Sequence, residues 1–277
     1  MTAAEYFAHP GVSKSSLDDF ARCPAHYHAV HIAKTVKRET TPAMQFGSLL
    51  HGLVLEGRAD YHTKPDGMTF ASKEGKAWKE AHLDKPILSA ADAADLQTMS
   101  SAILRHPHAA PLFGKGKPEV ALFGQHKASG LPIKGRLDWL AERHVVDIKT
   151  TADASDKGII GSMKSYRYWL QAAYYLRLAQ QNGFNCFDFY FVFIERGGLI
   201  NIWQMSQTDI DCGNIVMDAE LERLAECIEA DEWPDYAAAK PTPKILPPYV
   251  FPAATAELTG AEEVQTETKP TEGDLIP

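Results

Sequence analysis

The stretch from Pro118 to Ile148 constrains the fold more than any other part of the 277-residue chain. Three strand-forming runs follow one another there: Glu119-Val120-Ala121-Leu122-Phe123, Leu131 to Leu140, and Val145-Val146-Asp147-Ile148. Ala128-Ser129-Gly130 supplies a turn between the first two, and residues 141–144 are all that separates the second from the third. Connections this short predict consecutive antiparallel strands. A hairpin closed symmetrically about Ala128-Ser129 also sets a register, in which Glu119 faces Asp138 directly across the strands.

Helical signals surround this core. Ser13 caps a short helix, Pro24 interrupts it, and a second helical run covers Ala25 to Lys34. Thr41-Pro42 opens a longer helix in which Met44, Leu49, Leu50, Leu53 and Val54 recur at helical spacing until Gly57 closes it. Residues 58–88 lack a strong period and predict a loop or mobile excursion, after which Ser89 caps a helix to Arg105. Beyond the three strands come a helix from Tyr166 to Gln181 and strands at Phe187 to Ile194 and Leu199 to Met205 across Arg196-Gly197-Gly198. A final helix, Thr208 to Ala230, has Ile210, Ile215, Val216, Leu221, Leu224 and Ile228 as its expected buried stripe. The order ααα-βββ-α-ββ-α predicts an α/β (α+β) fold, a mixed central sheet flanked by helices. Residues 1–236 would form one domain, and the Pro/Thr/Glu-rich residues 237–277 a partly disordered tail.

With 45% hydrophobic and 23% charged residues and a mean hydropathy of −0.26, the composition is that of a globular protein. No apolar run approaches the roughly 18 residues of a membrane span, and MTAAEYFAHP lacks a basic stretch followed by an apolar core. A cytoplasmic protein without a membrane partner is expected. Cys23, Cys186, Cys212 and Cys227 contain no C-x-x-C pair, which fits reduced thiols in a reducing compartment. The net charge of −8 argues against a nucleic-acid partner until its distribution is considered. Residues 208–235 carry ten acids and one Arg, whereas residues 1–207 hold 24 bases and 20 acids. If four of those acids are ligands or close neighbours of a metal site, the remaining surface of that body is basic enough to attract phosphates.

Asp147-Ile148-Lys149 places a carboxylate and an ammonium on one face of a strand, with Ile148 turned into the core. Such a tripeptide is commonly a surface ion pair, but its neighbours single this one out. Glu119 opposite Asp138 puts like charges together, a cost that a divalent cation removes. Leu137 and Trp139 flank Asp138 and predict that its carboxylate points into a cleft. Three acids with a lysine form an oxygen-rich site suited to Mg²⁺ or Mn²⁺. Gly47 and His51 share one face of the helix before it, and Gln171 and Tyr175 repeat that spacing on the helix after it.

These elements, G-x-x-x-H, an isolated Glu, G-x-x-D, D-x-K and Q-x-x-x-Y in this order, resemble the RecB-type branch of the PD-(D/E)XK nuclease superfamily. Within it the chain is most similar to RecE-type exonuclease (exonuclease VIII) catalytic domains. The stretches GVSKSSLDDFARCPAHYHAV, TPAMQFGSLLHGLVLE, GRLDWL, VVDIKTTADAS, YRYWLQAAYY and DEWPDY carry the likeness. The resemblance implies a restriction-endonuclease-like core and Mg²⁺-dependent hydrolysis of double-stranded DNA from 5′ ends, with Mn²⁺ able to substitute. It also implies 3′ tails for a RecT-like single-strand annealing protein, and a homo-oligomeric ring around the duplex, tetramer favoured over trimer. Carried over, His51, Glu119, Asp138, Asp147 and the Ile148 carbonyl would surround the metals. Lys149 would be the catalytic lysine, with Glu119, Asp138, Asp147, Gln171 and Tyr175 completing the site. Ser13, Lys14, Ser15, Lys134, Arg136 and Arg167 are the candidate DNA contacts. Ring contacts would come from the segment Tyr249 to Phe251 and from the acidic final helix. Some relatives hold an iron–sulfur cluster through an early Cys-Pro, which Cys23-Pro24 resembles; the other three cysteines lack the late spacing, so no cluster is expected. A single-strand or structure-specific nuclease and a non-catalytic DNA-binding scaffold are the alternatives.

Overall fold

The computed structural model describes residues 3–37 and 39–237. The expected disordered tail, with Tyr249 to Phe251, lies outside the described residues apart from position 237 itself. A short helix not expected from the sequence, α1 (Ala3–Ala8), comes first. It is followed by α2 (Lys14–Arg22), whose Ser13 cap exchanges hydrogen bonds with Ser16 in a capping box. Then come α3 (Pro24–Tyr27), which runs on into a π turn over His28–Ile32, and α4 (Pro42–Glu56), capped by Thr41 and ended by Gly57 in the left-handed conformation. Met44, expected in the buried stripe of α4, is exposed, and Phe46 and Leu55 take its place.

Residues 58–88 are better ordered than their weak periodicity implied. They contain β1 (His62–Thr63), α5 (Lys73–Ala81) and β2 (Ile87–Leu88), with β1 and β2 paired in parallel. The period was hidden because α5 buries little besides Gly75 and is held by its Ser72 cap rather than by an apolar stripe. Next is α6 (Ala90–Arg105), capped by Ser89.

The main sheet is built from β3 (Gly116–Gln125), β4 (Pro132–Ala141), β5 (His144–Thr150), β6 (Asp188–Ile194) and β7 (Ile200–Gln204), neighbours in that order. All pairings are antiparallel except β5 with β6. The β5–β6 crossover is made by α7 (Asp156–Ser165), absent from the sequence reading, and α8 (Tyr168–Gln181). The last helix is α9 (Gln207–Ala230).

Two apolar cores cover the two faces of the sheet. Leu17 and Phe20 of α2, most of α8 and Leu221 and Leu224 of α9 pack with Val145, Phe189 and Phe191 on one face. On the other, Leu49 and Leu50 of α4 and Leu96 and Met99 of α6 pack with Val146, Ile148 and Val192. In α9 the buried stripe differs from the expected one: Ile210, Gly213, Met217, Leu221 and Leu224 face inward, while Ile215 and Ile228 are exposed.

The β3–β4 hairpin has the expected register, with Pro118 opposite Trp139 and Val120 opposite Leu137. Between those pairs the pleat breaks. Glu119 takes a left-handed φ of +50°, and across from it Leu137 enters one core while Trp139 enters the other. Leu137 and Trp139 therefore flank Asp138 from the two opposite cores.

Gly213 sets the spacing of α9 on α8, because a Cβ there would lie 2.6 Å from the Ala173 Cβ and 2.9 Å from the Trp169 carbonyl oxygen. Gly213→Ala gains about 1 kcal/mol of helix propensity, but overpacking costs about 1–3 kcal/mol. The expected net result is a lower urea midpoint at unchanged slope; a raised midpoint would show that the helices can part at no cost.

Candidate active site

The site lies where β4 and β5 part. Their ladder consists of Trp139 opposite Val146 and Leu140 opposite Val145, and it goes no further. One residue on, a continued ladder would set Asp138 against Asp147. Instead the Ile148 N–H donates to Asp138 Oδ2 at 2.9 Å, so the carboxylate satisfies a backbone donor that has lost its strand partner. The outer edge of β4 beyond the fork is taken by Val12, whose N–H donates to the Pro132 carbonyl and whose carbonyl accepts from the Lys134 N–H, each at 2.8 Å.

Helices on both faces reach this fork. From α4, His51 Nε2 lies 2.9 Å from the Ile148 carbonyl oxygen and Nδ1 3.4 Å from Asp138 Oδ2. Gly47, one turn earlier, faces β5, where an added Cβ would stand in ordinary contact with the Thr150 hydroxyl at 3.6 Å. From α8, the Gln171 amide donates to Asp147 Oδ2. Lys149 Nζ lies 2.5 Å from Asp147 Oδ1, and Arg136 Nε lies 2.6 Å from Glu119 Oε2. Tyr175 packs over Gly135, where a Cβ would come within 3.1 Å of its ring.

Among the described residues, His51, Glu119 and Asp138 present ligand atoms that all lie within 4.8 Å of one another. One imidazole and two carboxylates suit a hard divalent cation. Asp147 stands beside this trio, held by Gln171 and Lys149, and could join it through a buried Oδ1 that accepts no well-directed hydrogen bond.

Protonation in the cation-free protein follows from this crowding. Burial opposes charge on His51, but Asp138, and behind it Asp147, outweigh that and push the imidazole up to about 9. Burial would raise Asp138, yet the His51 charge holds it below the ordinary carboxylate range. Asp147, buried and next to Asp138, is pushed up to about 6 despite Lys149. Lys149 is raised because Asp147 and Asp138 overcome its desolvation. Burial and the nearby carboxylates push the Tyr175 phenol well upward. An imidazolium bridging Asp138 and the Ile148 carbonyl thus supplies positive charge where a metal ion would sit.

A cleft of about 1420 Å³ opens over Asp138, Asp147, Lys149, Gln171 and Tyr175. Of the candidate DNA contacts, Ser13, Lys14, Ser15, Lys134 and Arg136 line it and Arg167 does not. Several are engaged within the protein. Ser13 caps α2, and Lys14 bonds the Tyr166 carbonyl at 2.5 Å and Asp18 at 2.7 Å. The buried Lys134 ammonium donates to the Tyr6 and His9 carbonyls at 3.0 and 2.6 Å, anchoring the end of α1. Arg167 ties Asp18 to Glu220. The structure gives Lys134 and Arg167 positions as internal ties, which sequence charge counting does not reveal. The sequence reading missed Tyr168, whose ring lies 5.0 Å from Lys149 Nζ. Its signal was present, since Tyr168, Gln171 and Tyr175 recur on one helical face. All four cysteines are free, and Cys23 and Cys186 are buried. Cys212 is exposed and Cys227 half-buried.

Residues 13–240 match the family described as a PDDEXK-like domain of unknown function (DUF3799). The chain belongs to this family. Its signature, the forked strands and the acid–lysine pair place it in the PD-(D/E)XK nuclease superfamily, with the mixed sheet and flanking helices expected from sequence. A Eubacterium rectale protein provisionally named an exonuclease is similar in structure at 16% identity and a TM-score of 0.65, over 95% of this chain and 99% of that one. At that identity the likeness is one of fold. A phage-related exonuclease from Haemophilus somnus 129PT aligns over 81% of this chain and 97% of its own at 11% identity, with a TM-score of only 0.37. No curated protein matches the chain. Among the described residues no helix is long and apolar enough to cross a membrane.

Binding a divalent cation through His51 requires a neutral imidazole. Because His51 is pushed up to about 9, cation binding at pH 7.5 should release a proton, and affinity should rise about tenfold per pH unit up to that point. Calorimetric titration with Mn²⁺ in two buffers of different ionisation enthalpy measures the release. Equal heats in both would remove His51 from the ligand set.

Proposed function

We propose that this protein is a divalent-cation-dependent exonuclease that degrades one strand of linear duplex DNA from its 5′ end and leaves a 3′ tail. The observation that carries it is the convergence of His51, Glu119 and Asp138 beside an Asp147–Lys149 pair, with Asp138, Asp147 and Lys149 lining a large cleft. That cleft exceeds the roughly 300–1,000 Å³ of small-molecule sites, as a polymeric substrate requires. Its lining includes Lys14, Lys34, Lys37, Lys134, Arg136 and Lys149 against Asp18, Asp138 and Asp147, an excess of positive charge on an acidic protein.

A bound Mg²⁺ would polarise the scissile phosphate and acidify a water molecule. The residues of the chain then have distinct tasks. Lys149, held by Asp147, places its ammonium to orient the attacking water and to offset charge that develops on the phosphate oxygens. Gln171 fixes the Asp147 carboxylate, and Arg136 pairs with the carboxylate of Glu119. Polarity, tailed products, a ring of four or three subunits and an annealing-protein partner come from the RecE-type resemblance, a cytoplasmic setting from composition and cysteine usage, and all belong to the proposal.

With Mg²⁺, blunt linear duplex should be resected to 3′-tailed product, and chelation should stop the reaction. Asp138→Asn should abolish cleavage in a folded protein. Lys149→Ala should slow single-turnover hydrolysis roughly 10²- to 10³-fold with little change in DNA affinity, since its contribution is made in the transition state. Near-normal activity in either variant would overturn the site. Preference for single-stranded or branched substrates would favour a different nuclease, and absence of all hydrolysis a scaffold.

Binding to duplex DNA should weaken steeply with salt, because cleft lysines displace condensed counterions. A flat dependence of affinity between 50 and about 200 mM salt would reject the basic cleft as the DNA surface.

A further inference from the structure

The turn between α7 and α8 carries an aromatic pair to which neither the motifs nor the proposed chemistry gives a task. The rings of Tyr166 and Tyr168 stack with centroids 5.5 Å apart and planes 24° apart, and both residues line the cleft. Tyr168 is the link to the chemistry, since the Lys149 ammonium lies over its ring. Tyr166 is 60% exposed. An exposed aromatic side chain by itself is ordinary. This one differs in being both open and rigidly mounted. The Tyr166 carbonyl accepts the Lys14 ammonium, and its N–H donates to the Ser162 carbonyl at 2.9 Å. The next residue, Arg167, is held in a left-handed conformation at φ +52° by ion pairs to Asp18 of α2 and Glu220 of α9. A ring stacked on Tyr168 and carried on a backbone held in this way loses less freedom when something flat is laid on it than one on a free loop.

We propose that Tyr166 is a stacking platform for a nucleobase of the strand being hydrolysed, and that Tyr168 couples the platform to Lys149. The ligand class follows from the surroundings: a π surface next to an ammonium, on the wall of a cleft rich in lysine, suits a base whose own phosphate lies toward Lys149. Stacking accepts any base, because every base has a π face. The platform would therefore set the position of the nucleotide without selecting sequence. This inference rests on the nuclease reading for its substrate.

The test pairs variants of the protein with variants of the DNA. Duplexes are prepared with an abasic analogue at the first or at the second nucleotide of the hydrolysed strand, beside the unmodified duplex. On unmodified DNA, Tyr166→Ala should weaken binding and raise KM roughly 5- to 150-fold. Tyr166→Phe and Tyr166→Trp should restore both, and similar thermal midpoints would show that the folds are intact. On the abasic duplex that removes the stacked base, wild type should lose the same factor and Tyr166→Ala should lose nothing more. An equal Tyr166→Ala loss on abasic and unmodified DNA, or a Tyr166→Phe defect as large as that of Tyr166→Ala, would overturn the platform. The same comparison by fluorescence anisotropy in the Asp138→Asn background separates the two proposals. Base-dependent binding without any wild-type hydrolysis would keep the platform and reject the nuclease, whereas hydrolysis without base dependence would do the reverse.

Discussion

The separation of β4 from β5 is the constraint on which the rest of the site depends. A backbone N–H in a buried sheet must find an acceptor, and past Trp139 and Val146 the Ile148 N–H no longer finds one on the neighbouring strand. Asp138 fills that need with its carboxylate. The solution brings a charge into the interior beside Asp147, which sits 2% exposed on the next strand. Burying two carboxylates together is costly unless cations accompany them. The composition of the site follows: His51, Lys149 and Arg136 face Asp138, Asp147 and Glu119.

The fork also explains how helices from opposite faces of one sheet meet at a single point. A continuous ladder would have kept α4 and α8 in separate layers. Where the strands part, His51 reaches the Ile148 carbonyl from one side while Gln171 reaches Asp147 from the other. The N-terminal segment closes the remaining edge, with Val12 bridged to Ile133 and its carbonyl accepting the Tyr174 hydroxyl at 2.5 Å. Lys134 and Arg167 appear by charge to be surface contacts for phosphate, yet they are used to fasten α1 and α8 around the cleft. A buried polar side chain of this kind stabilises by satisfying carbonyls and carboxylates that would otherwise be desolvated and unpaired.

Backbone strain is also present at this place. Glu119 is the described strand residue that adopts a positive φ without being glycine, at a cost of order 1–3 kcal/mol. The pleat changes face there, so that a carboxylate which regular alternation would place by simple parity is turned toward Asp138 and His51. Arg136 compensates part of the cost through its ion pair with Glu119.

Local chemistry was enough to determine much of this protein from its sequence. Ser13, Thr41 and Ser89 announced helix starts because a hydroxyl can satisfy the free N–H groups of a first turn. The short connection around Ala128-Ser129 determined the hairpin register, and period two put Asp147 and Lys149 on one face. Helices that bury little, such as α5 and α7, escaped because apolar period is a record of burial rather than of helix formation. Only the tertiary structure decided that β4 leaves β5, that Leu137 and Trp139 part to opposite cores, and that Lys134 turns inward. Each of these depends on which groups remain unpaired once distant segments have packed, and no spacing along one chain encodes that.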